Sequence, residues 1–231
     1  MAKDTSRREF LRAARGAGAG FALASLPTAK PRRPQTEEEE VAPGEDLMRE
    51  HGVLNRVLLI YEEALRRLDS RRDLPPEALS GAAGIIHRFI ESYHEKLEED
   101  NLFPRFEKAR KLVDLVAVLR EQHQAGRRVT ADIQRLAARG GITGDADRTK
   151  LTGALRLFIR MYRPHEARED TVLFPAFRTI VSRKEYEELG EAFEEKEHQL
   201  FGKEGFEGVV AEVAGLEKQL GIYELSLFTP R

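Results

Sequence analysis

Apolar residues recur at helical spacing along most of the chain beyond residue 44, with charged residues between them. In the first such stretch, over about 44–70, they are Leu47, Leu54, Leu58, Leu65 and Leu68. Spacings of three, four and seven residues place these side chains on one face of an α-helix. The pattern therefore predicts an amphipathic helix that ends at the breaker sequence RRDLPP.

Three more long periodic stretches follow the first. One runs from Pro76 to about Pro104, the next covers about 112–138, and the last covers about 147–180. Gly140 and Gly141 supply a stop signal after the third stretch. Four long helices with short connections predict an all-α fold, an antiparallel up-down four-helix bundle over 45–181.

The C-terminal part, 182–231, predicts additional helices. Ser182 and Glu185 have the spacing of a capping box that opens a fifth helix. A shorter helix is expected over about 206–220, followed by a tail with an extended end. We expect this helical extension to lie against the bundle or to cover one of its ends.

Composition and charge limit the class of protein. The 231 residues contain 41% hydrophobic residues, enough for one sizeable core. The net charge is −2 and the basic and acidic residues are interleaved, so the sequence predicts no basic surface for binding nucleic acid. The sequence contains no run of about 18 apolar residues, so no membrane span is predicted. The chain has no cysteine, so any metal ion must be held by nitrogen and oxygen.

The N-terminal sequence SRREFL is typical of a bacterial export signal. Arg7 and Arg8 precede a weakly apolar segment that is rich in alanine and glycine. Residues 1–29 are predicted to be a twin-arginine signal peptide, cleaved after Ala24 or Ala29, and 30–44 a disordered, acidic and proline-rich linker. The protein is then exported by the twin-arginine translocase to the periplasm or the exterior, with no membrane span once the signal is removed. The alternative is a disordered basic tail.

A frame of residues occurs twice in the chain. Residues 94–104 read HEKLEEDNLFP, and residues 165–175 read HEAREDTVLFP. A single histidine precedes each frame at a similar distance, His51 in LMREH and His123 in LREQH. The repetition predicts a duplicated helical hairpin.

The repeated spacing is suited to metal binding. Residues i and i+4 share one face of a helix, so His94 with Glu98, and His165 with Glu169, each present an imidazole and a carboxylate to one point. With the two upstream histidines, a bundle interior would contain four imidazoles and two carboxylates. This set suits two iron ions, each with two histidines and bridged by both glutamates. Positions remain for an oxo or hydroxo bridge and for an incoming diatomic or peroxide ligand.

Two alternatives use the same residues differently. In the first, the histidines and glutamates are polar packing or solvent-facing pairs of an exported helical bundle without metal. In the second, a ferritin-like carboxylate site uses the Glu-x-x-His pairs Glu91 with His94 and Glu195 with His198. The second alternative leaves the repeated glutamates without a role.

The complete set of motifs resembles the hemerythrin-like (HHE cation-binding) family over about residues 45–180. The resemblance rests on His51, His94-x-x-x-Glu98, His123, His165-x-x-x-Glu169 and both Leu-Phe-Pro sequences. It implies a four-helix bundle around a non-haem di-iron centre. Oxygen-carrying members have a fifth histidine four residues after the single histidine of the third helix. Arg127 occupies that position here, which argues against simple reversible oxygen carriage.

Other residues lie on the same predicted helix faces. His87 and Glu91 lie on the same helix face as His94. Four roles remain open for them: an extra ligand, a hydrogen-bonded pair behind the ligands, a proton path, or a boundary pair near solvent. Tyr162 is a candidate for orienting a ligand. Pro164 is expected to kink the fourth helix. His198 is expected to be a surface or packing residue.

The family resemblance implies two functions. The first is an exported non-haem di-iron protein that reacts with oxygen, peroxide or nitric oxide, as an enzyme that detoxifies peroxide or nitric oxide would. The second is a non-catalytic module that binds or senses oxygen or iron.

Overall fold

A computed structural model describes residues 42–138 and 144–230, and within these ranges the protein is helical without any β-strand. None of the helices there is both long enough and apolar enough to cross a membrane. The predicted signal peptide lies outside the described residues, as does nearly all of the predicted linker. The first helix begins at Pro43, whereas the linker is predicted to continue to residue 44, so the helix starts two residues earlier than expected.

The first helical hairpin covers residues 43–109. Its first arm is α1, Pro43–Asp69. Its second arm is one continuous helical path that changes type along its length. The segments of this arm are α2, Pro76–Ile85; a π-helix, Ile86–His94; α3, Glu95–Leu97; a π-helix, Glu98–Leu102; and α4, Phe103–Ala109.

The second hairpin covers 113–177, and a helical extension follows it. The hairpin consists of α5, Val113–Ala137; α6, Asp145–Arg168; a π-helix, Glu169–Leu173; and α7, Phe174–Phe177. The extension consists of α8, Arg183–Phe201; a 3-10 turn, Gly202–Glu204; α9, Gly205–Leu220; and a 3-10 turn, Leu225–Phe228. The tail therefore contains a 3-10 turn where the sequence suggested an extended end.

Local signals explain several of these boundaries. Pro43 lies at the first turn of α1, where its missing N–H costs no helical hydrogen bond. The Ser182 hydroxyl accepts a 3.2 Å hydrogen bond from the Glu185 amide at the start of α8, which confirms the predicted cap. Pro164 lies inside α6, which remains a single helix from Asp145 to Arg168.

The four long arms of the two hairpins contact one another in a ring. α1 packs against α6, α6 against α5, α5 against the second arm of the first hairpin, and that arm against α1. Their apolar faces form one buried core, and α8 and α9 pack on the outside of α1. The interior between the four arms is where the repeated histidines and glutamates meet.

Candidate metal centre

All six residues of the repeated frame are buried and converge on one point. The Nε2 atoms of His51 and His165 lie 3.4 and 3.2 Å from Glu169 Oε2. On the other carboxylate, His123 Nε2 lies 3.3 Å from Glu98 Oε2, and His94 Nε2 lies 3.8 Å from Glu98 Oε1. Each hairpin therefore contributes two imidazoles and one carboxylate to a common centre.

The ligand atoms form two overlapping groups. His51, His94, Glu98 and Glu169 offer atoms that lie within 4.8 Å of one another, and so do His123, His165 and Glu169. We call His51 and His94 the first pair, and His123 and His165 the second pair. Glu169 belongs to both groups, and Glu98 also approaches both pairs, as carboxylates between two cations would.

The two glutamates have the properties of carboxylates that bind a cation. All four of their carboxylate oxygens are buried, and none makes a hydrogen bond of normal geometry within the described residues. Burial, reinforced by the nearby charge of Glu169, raises the pKa of Glu98 well above its usual value. Buried carboxylate oxygens without partners are costly, and a metal ion would satisfy them. Imidazole with carboxylate suits iron, manganese or zinc, so the residues fit a metal centre.

The backbone widens where the two glutamates enter the centre. Glu98 and Glu169 each begin a π-helical segment of 5 residues, and His94 ends another. A π-helical turn holds more residues than an α-helical turn, and such turns are frequent at functional sites. The same backbone feature therefore places the same ligand in both hairpins.

Each imidazole also has a hydrogen-bond partner behind it, on Nδ1. In the first pair, His51 Nδ1 lies 2.7 Å from Asp170 Oδ1, and His94 Nδ1 lies 2.8 Å from Glu50 Oε2. Since these oxygens only accept, each Nδ1 carries a proton, and each Nε2 is the nitrogen that faces the centre.

The second pair is arranged in the same way. His123 Nδ1 lies 3.1 Å from Glu99 Oε1, and His165 Nδ1 lies 2.9 Å from Gln122 Oε1. All four imidazoles therefore have their metal-binding nitrogen oriented by a partner on the opposite side of the ring.

Sequence reasoning missed these four partners, although the repeat contains a signal for them. Glu50 and Gln122 directly precede the single histidines, and Glu99 and Asp170 directly follow the repeated glutamates. Equal offsets in both copies mark them as a set. Their polarity alone looks like that of ordinary surface residues of charged helices.

Burial and neighbouring charges set the ionisation of the imidazoles. Burial lowers the pKa of His94 to about 3 and that of His123 to about 4. Burial also opposes the charge of His51, but the Asp170 hydrogen bond and the Glu169 carboxylate raise its pKa to about 10. His94 and His123 are thus neutral at pH 7, the form that binds metal, and a cation would displace the proton of His51.

Tyr162 and Arg127 organise the polar wall beside the second pair. The Tyr162 hydroxyl donates a 2.8 Å hydrogen bond to Glu95 Oε1, and its ring packs edge-on against His165. Arg127 Nη2 lies 2.8 Å from both Glu95 and Glu99. Arg127 therefore binds the carboxylates that support the centre, in the place where oxygen carriers have a fifth histidine.

The remaining candidate residues lie away from the centre. The His87 side chain is 61% exposed and lies 3.2 Å from the buried carboxylate of Glu91, in an arrangement that matches the boundary pair among the alternatives. Glu195 and His198 are exposed on α8. The structure thus brings together His51, His94, Glu98, His123, His165 and Glu169, whereas no cluster of metal-binding side chains within the described residues includes Glu91, Glu195 or His198.

Comparison with known proteins gives one consistent family. The model of the hemerythrin HHE cation-binding domain matches residues 42–175 and again 114–221. Uncharacterized proteins of Mycobacterium bovis and of Mycobacterium tuberculosis strains CDC 1551 and H37Rv are 46% identical to the chain. These matches cover 97% of the chain and 91% of each relative. No solved structure matches significantly.

Proposed function

Since the chain belongs to the hemerythrin HHE cation-binding family, we propose that it is a di-iron protein that binds and reacts with oxygen, peroxide or nitric oxide. The observation that carries the proposal is the convergence of four imidazole Nε2 atoms on two carboxylates whose oxygens make no hydrogen bond of normal geometry in the part of the chain that the structure describes. The first pair would hold one iron ion and the second pair the other, with Glu98 and Glu169 bridging them.

The ring of contacts between the four long arms supports an antiparallel four-helix bundle as the container of this centre. Short connections link consecutive arms, which favours neighbours that run in opposite directions. In this arrangement each arm directs one set of ligands inward.

Two iron ions in such a centre would supply electrons to a small ligand that coordinates directly. The protein's own residues hold the imidazoles in the metal-binding tautomer and exclude bulk water by burial. Phe174 stacks on His51, and Phe103 stacks on His123, so apolar rings close the centre on both sides. A small diatomic or peroxide ligand is the class of substrate that such an enclosed site admits.

Export by the twin-arginine route is part of the proposal. Arg7 and Arg8 in the sequence SRREFL support it, and this route would deliver a folded, metal-loaded protein to the periplasm or exterior. Replacing both arginines by lysine is expected to keep the protein inside the cell, which fractionation would detect. Equal export of the variant and the parent would contradict this part of the proposal.

The centre itself is tested by counting metal. The full chain, produced with iron supplied, is expected to contain close to two irons, and His94→Ala combined with His165→Ala should reduce this toward zero. His198→Ala, an exposed histidine outside the centre, serves as the matched control. A folded helical parent that binds no metal would overturn the di-iron centre.

Assays with the iron-loaded protein then separate the two functions. Consumption of hydrogen peroxide or nitric oxide by the parent, lost in the double histidine variant, supports a detoxifying enzyme. A reversible oxygen-dependent spectrum without consumption of either substrate would instead support an oxygen-binding or sensing module.

A further inference from the structure

The two halves of the metal centre have similar geometry but different chemistry behind the ligands. Position by position, Asp170 behind His51 corresponds to Glu99 behind His123, and Glu50 behind His94 corresponds to Gln122 behind His165. The last correspondence replaces a carboxylate by a neutral amide. The duplicated hairpins are therefore unequal at the atoms that tune the imidazoles.

A second difference also reduces the negative charge behind the second pair. Glu99 is a carboxylate, but Lys96 Nζ lies 3.1 Å from its Oε2 and Arg127 Nη2 lies 2.8 Å from its Oε1. These two cations thus compete with His123 for the negative charge of Glu99. The first pair donates to two carboxylates, whereas the second pair donates to an amide and to a carboxylate that two cations already bind.

A hydrogen bond from Nδ1 to a carboxylate increases the electron density that the imidazole offers at Nε2. A neutral amide oxygen accepts the same hydrogen bond without supplying a negative charge. The first pair should consequently be the stronger donor set, and the second pair the weaker one.

We propose that the two metal positions are unequal, with the position of His51 and His94 filling first and that of His123 and His165 filling last and emptying first. Glu50 and Gln122 are the positioning residues that set this order. The inference deepens the proposed function and rests on it, because it requires a centre of two ions.

Anaerobic titration of the metal-free full chain with Co²⁺, followed by calorimetry and by the visible Co²⁺ spectrum, measures the order directly. Two separate binding steps are expected for the parent. Glu50→Gln places an amide behind one histidine of each pair, so the tighter step should weaken by about 10- to 100-fold and approach the second. Gln122→Glu should tighten the weaker step, and the exchange Glu50→Gln with Gln122→Glu should reverse the order of filling.

Single-ligand variants identify which position fills first. With one pair damaged, His165→Ala should keep the tight step, and His94→Ala should keep only the weak step. The exposed residues Glu45 and Gln124, on the same two helices, give the matched control variants Glu45→Gln and Gln124→Glu, which should leave both steps unchanged.

Iron provides a readout that is independent of activity. Loading with one equivalent of iron-57 should give a single Mössbauer doublet in the parent, and a second equivalent should add a different one. The exchanged double variant should show the doublets in the opposite order.

The outcomes separate this inference from the proposed function. Two ions bound with equal affinity, or binding steps that neither Glu50→Gln nor Gln122→Glu shifts, would overturn the inequality and leave the two-ion centre standing. Fewer than two ions per chain of folded parent would overturn the two-ion centre and this inference with it.

Discussion

The hydroxyl oxygen of Tyr162 occupies the space where a side chain at position 126 would begin. A Cβ atom at Gly126 would lie 2.0 Å from this oxygen, much closer than van der Waals contact. The absence of a side chain on α5 therefore allows the tyrosine to reach Glu95 beside the second histidine pair.

Gly126→Ala is accordingly expected to displace Tyr162 and to lower the free energy of unfolding by about 1–3 kcal/mol, as overpacking does. Thermal or urea unfolding measures this change. Adding Tyr162→Phe, which removes the obstructing oxygen, should recover part of the loss. Gly153→Ala in α6, where a Cβ meets nothing within 4 Å, is the matched control and should be neutral or stabilising. An equally stable Gly126→Ala protein would contradict the predicted clash.

Replacing both repeated glutamates distinguishes the proposed centre from a ferritin-like one. Glu98→Ala with Glu169→Ala removes the two central carboxylates, so bound iron should fall from about two per chain to nearly none. The corresponding double variant of the ferritin-like set, Glu91→Ala with Glu195→Ala, should retain most of the iron. Elemental analysis of both proteins decides between them, and the reverse pattern would favour the ferritin-like site.

Glu63 should make the stability of the protein depend on pH. It accepts hydrogen bonds from Arg66 and Arg67, and Arg67 also donates to the Leu220 carbonyl at the end of α9. Although burial opposes the effect, the two arginines lower the pKa of Glu63 below its usual value. The stabilisation is therefore present above the unfolded pKa of about 4.3 and is lost as the pH falls through the lower, folded value.

Glu63→Gln should consequently lower the free energy of unfolding by about 1 kcal/mol at pH 7, and the difference should shrink progressively as the pH falls below the unfolded pKa of about 4.3. Urea unfolding at several pH values measures it. Glu62→Gln, which affects a partly exposed pair with Arg163, controls for the loss of one negative charge. A difference between Glu63→Gln and the parent that stays constant down to pH 3 would contradict the assignment.

Arg56 connects α1 to the C-terminal extension. Its guanidinium forms a two-pronged contact with the Glu217 carboxylate, which is only 7% exposed. Arg56→Ala leaves that carboxylate without this partner and should lower the free energy of unfolding by about 1–3 kcal/mol. Arg88→Ala breaks an exposed pair with Glu212 on the same helix α9 and should cost at most about 1 kcal/mol.

Removing both members of the pair completes that comparison. Arg56→Ala with Glu217→Ala should be less destabilising than the sum of the two single variants, because no buried charge remains without a partner. Strict additivity in chemical unfolding would show that the contact contributes nothing.

The sequence predicts that the six histidines and glutamates converge because a helix converts spacing into direction. The spacing of four positions from His94 to Glu98 places both on one face, and repetition in the second hairpin indicates which face is internal. The all-helical class follows from the same periodicity. Neither conclusion requires knowing how the helices lie against one another.

Features that depend on helix placement are absent from that prediction. Whether Glu50 reaches His94 depends on how α1 lies against its neighbour, and the space at Gly126 exists only once Tyr162 approaches it. The π-helical segments are also invisible to an apolar pattern with a period of 3.6 residues. Sequence therefore predicts the candidate ligands, and the structure shows the groups that contact their imidazoles on the opposite side.

The matching π-helical segments also bear on how the two hairpins could have originated. Glu98 and Glu169 begin widened turns of equal length at equivalent points of the two hairpins. If the two hairpins arose by duplication, one insertion before it would explain both turns more simply than two later insertions. An ancestor of half the length, paired with an identical copy about a twofold axis, would have assembled four imidazoles and two carboxylates from two separate chains. Fusion of two such chains would free each half to change alone, and Gln122 at the position equivalent to Glu50 is the kind of difference that this would allow.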